Sequence, residues 1–291
     1  MGRSLNSAVT AGALAAELGL PLHGNSDAAI QRIDAADVAV LGSLCFAKSA
    51  AWSAKVASDA VLLTAREHLV ERAGATILST QPRLDFARAL SVLERLAGFA
   101  WSEEEAYVHP SATIGKYVVI GRGVRVGAGT VIHHHVVIGD EVAIGERCVI
   151  KSGAVIGEEG FGFERDAQGK AHRLPHIGTV RIGNDVEIGS LTTVCRGTLA
   201  DTVLRDGCKI DDHVHIAHNI DVGEDAFVIA CAEVSGGVKI GPRAWIAPNA
   251  SILNQLTIGA DAVVGLGGVV VKSIADGAVV AGNPAKPLSR A

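Results

Sequence analysis

From Ile114 onward an aliphatic residue recurs at every sixth position. The first run is Ile114, Ile120, Val126, Ile132, Ile138, Ile144, Ile150 and Ile156. After a break come Ile182, Ile188 and Val194. After a short slip come Leu204, Ile210, Ile216, Val222, Val228, Val234, Ile240, Ile246, Ile252, Ile258, Val264 and Val270. Glycine often follows directly, as in Ile114-Gly115, Ile138-Gly139, Ile188-Gly189, Ile240-Gly241 and Ile258-Gly259. An α-helix would smear this period around its surface. The pattern predicts a hexapeptide β-helix, in which each six-residue unit is one short strand plus a turn and three units close a triangular coil of about 18 residues. The periodic aliphatic points inward and stacks on its equivalents, and coils pair through their backbones about 4.8 Å apart. Corner glycines tolerate positive φ and close approach. The 23 positions amount to seven to eight coils.

Two interruptions break the rhythm. Between Ile156 and Ile182 a segment with Phe161, Phe163, His172 and His176 replaces it, and near Arg196–Thr202 the register slips by four. Loops on a rigid scaffold are where binding usually sits, although a tolerated insertion is the bland alternative. Residues 1–100 lack the period and carry mixed α/β signals. Thr10 is a plausible N-cap for a helix to about Leu18, stopped by Gly19. Ala60–Thr64 and Ala75–Leu78 read as buried strands, and Pro82–Leu96 as a helix with Pro82 near its start. The expected organisation is a small α/β domain over 1–100, a linker over 101–108, a β-helix over 109–272 with an inserted loop at 157–181, and a C-terminal tail over 273–291. Two prolines and two glycines around Gly277–Pro287 predict a loop there.

Composition narrows the function. Glycine is 34 of 291 residues, aromatics are 4% and the net charge is −5, so no basic face dominates and nucleic-acid binding is not expected. The most apolar stretches are short and glycine-interrupted, so no stable membrane insertion is expected, and no signal-peptide run follows the N-terminus. Five scattered cysteines without a C-x-x-C pair point to a reducing compartment and argue against a zinc site. A cytoplasmic protein without a bound metal is the expectation. His133-His134-His135 reads as a polar corner, since adjacent residues in a coil point different ways.

Specific segments carry a closer likeness. They are Gly42-Ser43-Leu44-Cys45-Phe46, Gly160-Phe161-Gly162-Phe163, Asn184-Asp185-Val186-Glu187-Ile188-Gly189, Thr192-Thr193, Arg196-Gly197-Thr198-Leu199, Asp201-Thr202 and Ile216-Ala217-His218-Asn219. In this order, behind such an N-terminal domain, the chain resembles the UDP-3-O-(3-hydroxyacyl)glucosamine N-acyltransferase family of lipid A biosynthesis over roughly residues 8–272. The resemblance implies a left-handed coil, a homotrimer with active sites between neighbours, and acyl transfer from a thioester to a nucleotide-linked amino sugar. It implies no permanently bound cofactor: coenzyme A or acyl carrier protein would bring the acyl group as a co-substrate. His218 matches the family's catalytic base, and an imidazole suits the removal of a proton from an attacking amine. Gly236 lies 18 residues on, at the place of the family's oxyanion amide. Phe46 and Trp52 match the pair that stacks on the nucleotide base, with Ser49 where the family has asparagine. Core packing is the alternative for that pair. Phe161 and Phe163 join the candidate substrate contacts. Lys170, Arg173 and Arg196 are candidate phosphate ligands or solvated charges. His215 and Asn219 flank the base as candidate substrate contacts, with a plain surface position the alternative for His215.

Three departures set this chain apart. Asn254-Gln255 stand where the family often has a second histidine. No counterpart of the family's C-terminal helical extension is expected from the run up to Ala291. Gly265 and Gly267, followed by Pro284 and Lys286 in the Ala281–Lys286 run, resemble the end of coenzyme A-dependent sugar acetyltransferases. A long-chain lipid A step, a short-chain transfer from coenzyme A onto an O-antigen-type sugar, and a non-catalytic sugar-nucleotide scaffold therefore all remain open from the sequence.

Overall fold

A computed structural model describes residues 2–288. It divides into two units: residues 1–100 with 161–178 and 198–200, and residues 101–160 with 179–197 and 201–291. The middle of each interruption, 161–178 and 198–200, thus groups with the N-terminal residues, while its ends stay with the coils.

In the first unit six strands form one sheet. They are β1 (Arg3–Thr10), β2 (Leu22–Gly24), β3 (Ala29–Ile33), β4 (Ser43–Phe46), β5 (Val61–Thr64) and β6 (Ala75–Leu78), in the order β1-β3-β4-β5-β6-β2. Helix α1 (Ala11–Leu18) begins where Thr10 accepts a 3.1 Å hydrogen bond from Ala13 N–H, and it ends at Gly19 with φ of 65°. Glycine, having no Cβ, reaches that conformation at the least cost. A short helix α2 (Ala50–Ser53) is capped by Ser49. Helix α3 (Pro82–Leu96) opens on Pro82 and buries Leu84, Phe86, Leu90 and Leu93. The insertion supplies an antiparallel hairpin, Phe163–Arg165 with Ala171–Arg173. It packs beside α3, where Arg83 and Glu164 pair at 2.6 Å.

The second unit is a solenoid of three parallel sheets whose strands come from successive coils. Two faces hold eight strands each, beginning at Tyr107–Val108 and at Val119–Ile120. The remaining face begins at Thr113–Ile114 and runs on to a final antiparallel strand. On that face Ile132, Ile150, Ile188, Ile210, Val228, Ile246 and Val264 are each at most 1% exposed. Burying each such side chain stabilises the stack by about 1.5–3 kcal/mol. Equivalent corners normally recur every 18 residues, as Arg122 N–H capped by Asp140 does. The spacing grows to 38 across the insertion (Glu146 to Asn184) and to 22 across the slip (Asn184 to Asp206). The chain leaves the stack and returns in register, because only that return keeps the aliphatic column buried.

The last segment differs from the loop its sequence suggests. Ile274 bridges Ile258 on the first face, and Val279–Ala281 pair with Val263–Val264 on the second. Gly282 C=O and Ala285 N–H both bond Val269 on the third, and Lys286–Pro287 fold back antiparallel to Val280–Ala281. The spacing here falls to 16, from Ala260 to Asp276. A six-residue search misses this coil because it is two residues short. Residues 289–291 of the expected tail lie outside the described residues.

Among the described residues no helix is long and apolar enough to cross a membrane. All five cysteines are free. Burial raises the Cys45 and Cys208 thiols to about 12 and Cys195 to about 11, and pushes Cys148 upward too. Cys231 alone is exposed. The thiolate is the reactive form, so a colorimetric disulfide reagent at pH 8 is expected to titrate one thiol in the native protein. In denaturant it should titrate five. Rapid reaction of a second native thiol would contradict this packing.

Candidate active site

The corner after His215–Ile216 brings together two of the residues the sequence singles out, His218 and Gly236. The inward turn at Ile216 sends His218 outward, and Asn219 continues in the left-handed region with φ of 60°. Thr202, buried at the end of the slip, accepts the Asn219 N–H at 2.9 Å and so fixes this turn. The Asn219 side-chain oxygen lies 3.0 Å from His218 Nδ1. An amide oxygen only accepts, so Nδ1 carries the proton and Nε2 presents the lone pair. Asn219, expected among the substrate contacts, thus turns back onto the imidazole.

One coil along, Gly236 lies directly beneath that ring. A Cβ built on it would meet His218 Cε1 at 2.5 Å, Nε2 at 2.7 Å and Nδ1 at 3.1 Å. Glycine is required here by space. Backbone pairing locks the two layers together, with Gly237 N–H to His218 C=O at 2.9 Å and Gln255 N–H to Gly236 C=O at 3.0 Å. The Gly236 N–H itself donates to no group among the described residues. At equivalent corners a side chain from the next coil takes this hydrogen: Asp140 for Arg122, Asp212 for Ser190 and Asp276 for Ala260. Asn254 stands in the capping position for Gly236 and leaves it open. An N–H without an acceptor among the described residues therefore lies at the same corner as the imidazole. An unsatisfied donor beside a base is the pairing needed to hold developing negative charge while a proton is removed.

Asn219→Ala is expected to lower kcat about tenfold, the value of one orienting hydrogen bond of ~1.4 kcal/mol, with KM little changed. Asn219→Asp, which keeps the acceptor, should retain most activity. Steady-state kinetics on both variants checks this.

The remaining candidates on the coils are spread over several corners. His215 Nδ1 pairs with Thr193 Oγ1 at 2.7 Å, on the neighbouring strand. Asn254 and Gln255 are exposed, and Gln255 (φ 61°) lies over Gly237. Arg196 gives its Nε–H to Gly157 C=O at 2.5 Å and lays its guanidinium over Trp101 at 4.9 Å. These contacts make it a tie across the base of the insertion. Gly265 sits against Ala281, whereas Gly267 (φ 62°) faces open space. Pro284 follows a cis bond to Asn283, and Lys286 lies in the closing strand. Among the described residues no group of three or more His, Cys, Asp or Glu is arranged to hold a metal. His134 instead caps Lys116 N–H at 2.8 Å.

The first unit holds the aromatic candidates. Phe46 ends β4 half-buried, with its ring 4.8 Å from Phe86. Trp52 is 37% exposed in α2, with Lys55 Nζ 4.4 Å above its ring. Ser49 caps this helix, accepting from Trp52 N–H at 3.4 Å. In the insertion Phe161 is 89% exposed and stands 4.9 Å from Phe163, whose other face carries Arg173 at 4.7 Å. Lys170 is exposed at the hairpin tip and donates its N–H to Asp166. His176 packs onto Gly162, where a Cβ would lie 2.5 Å from the ring.

No protein-family model matches the chain. Curated relatives do. The chain is 34% identical to the UDP-3-O-acylglucosamine N-acyltransferase of a Janthinobacterium strain, over 90% of this chain and 84% of that one. It is 32% identical to the protein of the same name from Coxiella burnetii, over 81% and 76%. Among solved structures, LpxA from Acinetobacter baumannii is 27% identical with a TM-score of 0.55, covering 65% of this chain and 74% of that one. The UDP-N-acetylglucosamine acyltransferase of Francisella novicida is 25% identical with a TM-score of 0.58, over 65% and 67%. The stacked coils are those of a left-handed parallel β-helix acyltransferase. With a corner that seats an imidazole over Gly236, and with relatives aligned along most of its length, the chain belongs to the UDP-3-O-acylglucosamine N-acyltransferase family.

Proposed function

We propose that the protein transfers an acyl group from a thioester to the amino group of a UDP-linked amino sugar, for lipid A or a related envelope glycan. The observation that carries this reading is the His218 ring seated over Gly236, beside an amide hydrogen that the coil leaves unpaired. His218 Nε2 accepts the proton of the attacking amine. The amine forms its bond to the thioester carbonyl carbon, and the Gly236 N–H bonds the oxygen as it becomes an oxyanion. Collapse breaks the carbon–sulfur bond, and His218 returns the proton to the departing thiolate. No cofactor need be bound throughout. Coenzyme A or acyl carrier protein delivers the acyl group and leaves as a thiol.

Phe46 and Trp52 are assigned to the nucleotide base, and Phe161, Phe163, Lys170 and Arg173 to the sugar nucleotide. The support is the exposed ring faces and cations on the first unit. Gly265, Gly267, Pro284 and Lys286 are assigned to the donor's pantetheine end. A parallel homotrimer is the proposed assembly, following the solenoid's flat sheets. Five free thiols, four of them buried, favour the cytoplasm. The test is incubation with UDP-3-O-acylglucosamine and either acyl-CoA or acyl carrier protein thioesters, scoring thiol release and the mass of the N-acylated product. Release from one donor class assigns it. No release with any thioester or any amino-sugar nucleotide would overturn enzymatic transfer in favour of a binding role.

A further inference from the structure

On the strands of the solenoid, three carboxylates point outward just before an inward aliphatic: Glu187, Asp221 and Glu233. The first two are neutralised from an adjacent coil, Glu187 by Lys151 at 2.7 Å and Asp221 by Arg205 at 2.8 Å. Glu233 forms no ion pair with any cation among the described residues. Among the described residues its carboxylate has one hydrogen-bond partner, Ser235, whose hydroxyl donates to both oxygens at 2.9 and 3.3 Å. That bond draws the carboxylate along its own strand toward Gly236, the next residue after Ser235. On the same outer face Glu233 stands between His215 and Ser251 in the ladder, next to the strand that leads into His218. A half-buried carboxylate without a cation is unfavourable unless something cationic or strongly donating completes it.

Resting on the proposed N-acyl transfer, we infer that Glu233 is the acceptor-recognition residue: it binds the protonated amine of the sugar beside His218 and selects an amino sugar over its hydroxyl counterpart. An amino sugar arrives near neutral pH largely as an ammonium ion, and an ammonium offers three donors. One hydrogen goes to Glu233. A second leaves to water before attack, which frees the lone pair, and the third passes to His218 as the nitrogen bonds the carbonyl carbon and is returned to the departing thiolate. The bond to Glu233 then keeps the nitrogen positioned over the thioester carbon. Ser235 acts through Glu233, as a positioning residue.

The experiment titrates the full-length protein calorimetrically with a UDP-linked 2-amino sugar and with the same nucleotide sugar bearing a 2-hydroxyl. The wild-type protein is expected to prefer the amine by about tenfold, as a charge-assisted bond provides. Glu233→Gln should reduce that preference to within about twofold, leaving affinity for the hydroxyl sugar unchanged. Glu233→Asp should restore part of it. An undiminished preference in Glu233→Gln, an equal loss for both sugars, or no preference in the wild type would each overturn the assignment. Binding is read without turnover. A wild-type protein that prefers the amine but releases no thiol would therefore leave this site standing and overturn only the transferase reading.

Discussion

His218→Ala is expected to fold normally and to lose about 10²–10⁴-fold in kcat/KM, the usual contribution of a positioned general base. The side chain stands partly exposed at a corner, outside the aliphatic column in which Ile216 and Ile220 are fully buried. The loss should fall mainly on kcat, because proton removal belongs to the transition state and not to the bound ground state. Thermal unfolding within a degree or two of the wild type, together with the kinetic loss, would establish a chemical role. A variant that keeps full transferase activity would remove His218 from the mechanism, and with it the coupling of the two layers.

Gly236→Ala should be nearly as severe for a different reason. Every ring atom named above lies within 3.1 Å of where the new methyl would sit, closer than packed atoms approach. The ring is the movable partner, so the imidazole is displaced and the main chain stays. The expected result is a fall in kcat of about 10²–10³-fold, comparable with removal of an oxyanion donor, with little change in unfolding temperature. This contrasts with Gly189, whose added Cβ would meet the backbone of Asp211 and Asp212 at 2.2–2.3 Å. That substitution should cost about 1–3 kcal/mol of stability while leaving the chemistry alone. Urea denaturation of the two variants separates the cases. A Gly236→Ala protein that unfolds early, or one that turns over normally, would contradict the geometry.

Much of this architecture is legible without coordinates because its signals are local. The period of six is a steric requirement repeated in every coil, and Thr10, Gly19 and Pro82 mark helix ends by chemistry that neighbouring residues complete. The pairing of His218 with Gly236 follows from the same arithmetic, since equal coil length puts residues 18 apart at one corner. What escaped the sequence is what depends on distant partners. Nothing local says that the Phe163–Arg173 hairpin folds with the N-terminal residues. Arg196 reads as an available cation until Trp101 and Gly157 engage it. Phe46 reads as a stacking ring until Phe86 covers part of it. Glu233 carries no signal along the chain, because what distinguishes it from Glu187 and Asp221 is an ion pair made between coils.

The short final coil has a consequence for the behaviour of many molecules together. A solenoid of parallel strands is a ribbon with an open end, and an uncovered row of amides and carbonyls there templates the addition of another chain. Here Ile274, the Val279–Ala281 strand with its antiparallel return, and the Gly282 and Ala285 backbone each cover one of the three terminal edges. Fibrous end-to-end growth is thereby closed off by some fifteen residues, and a chain cut after Lys272 would present three sticky edges to its neighbours in solution.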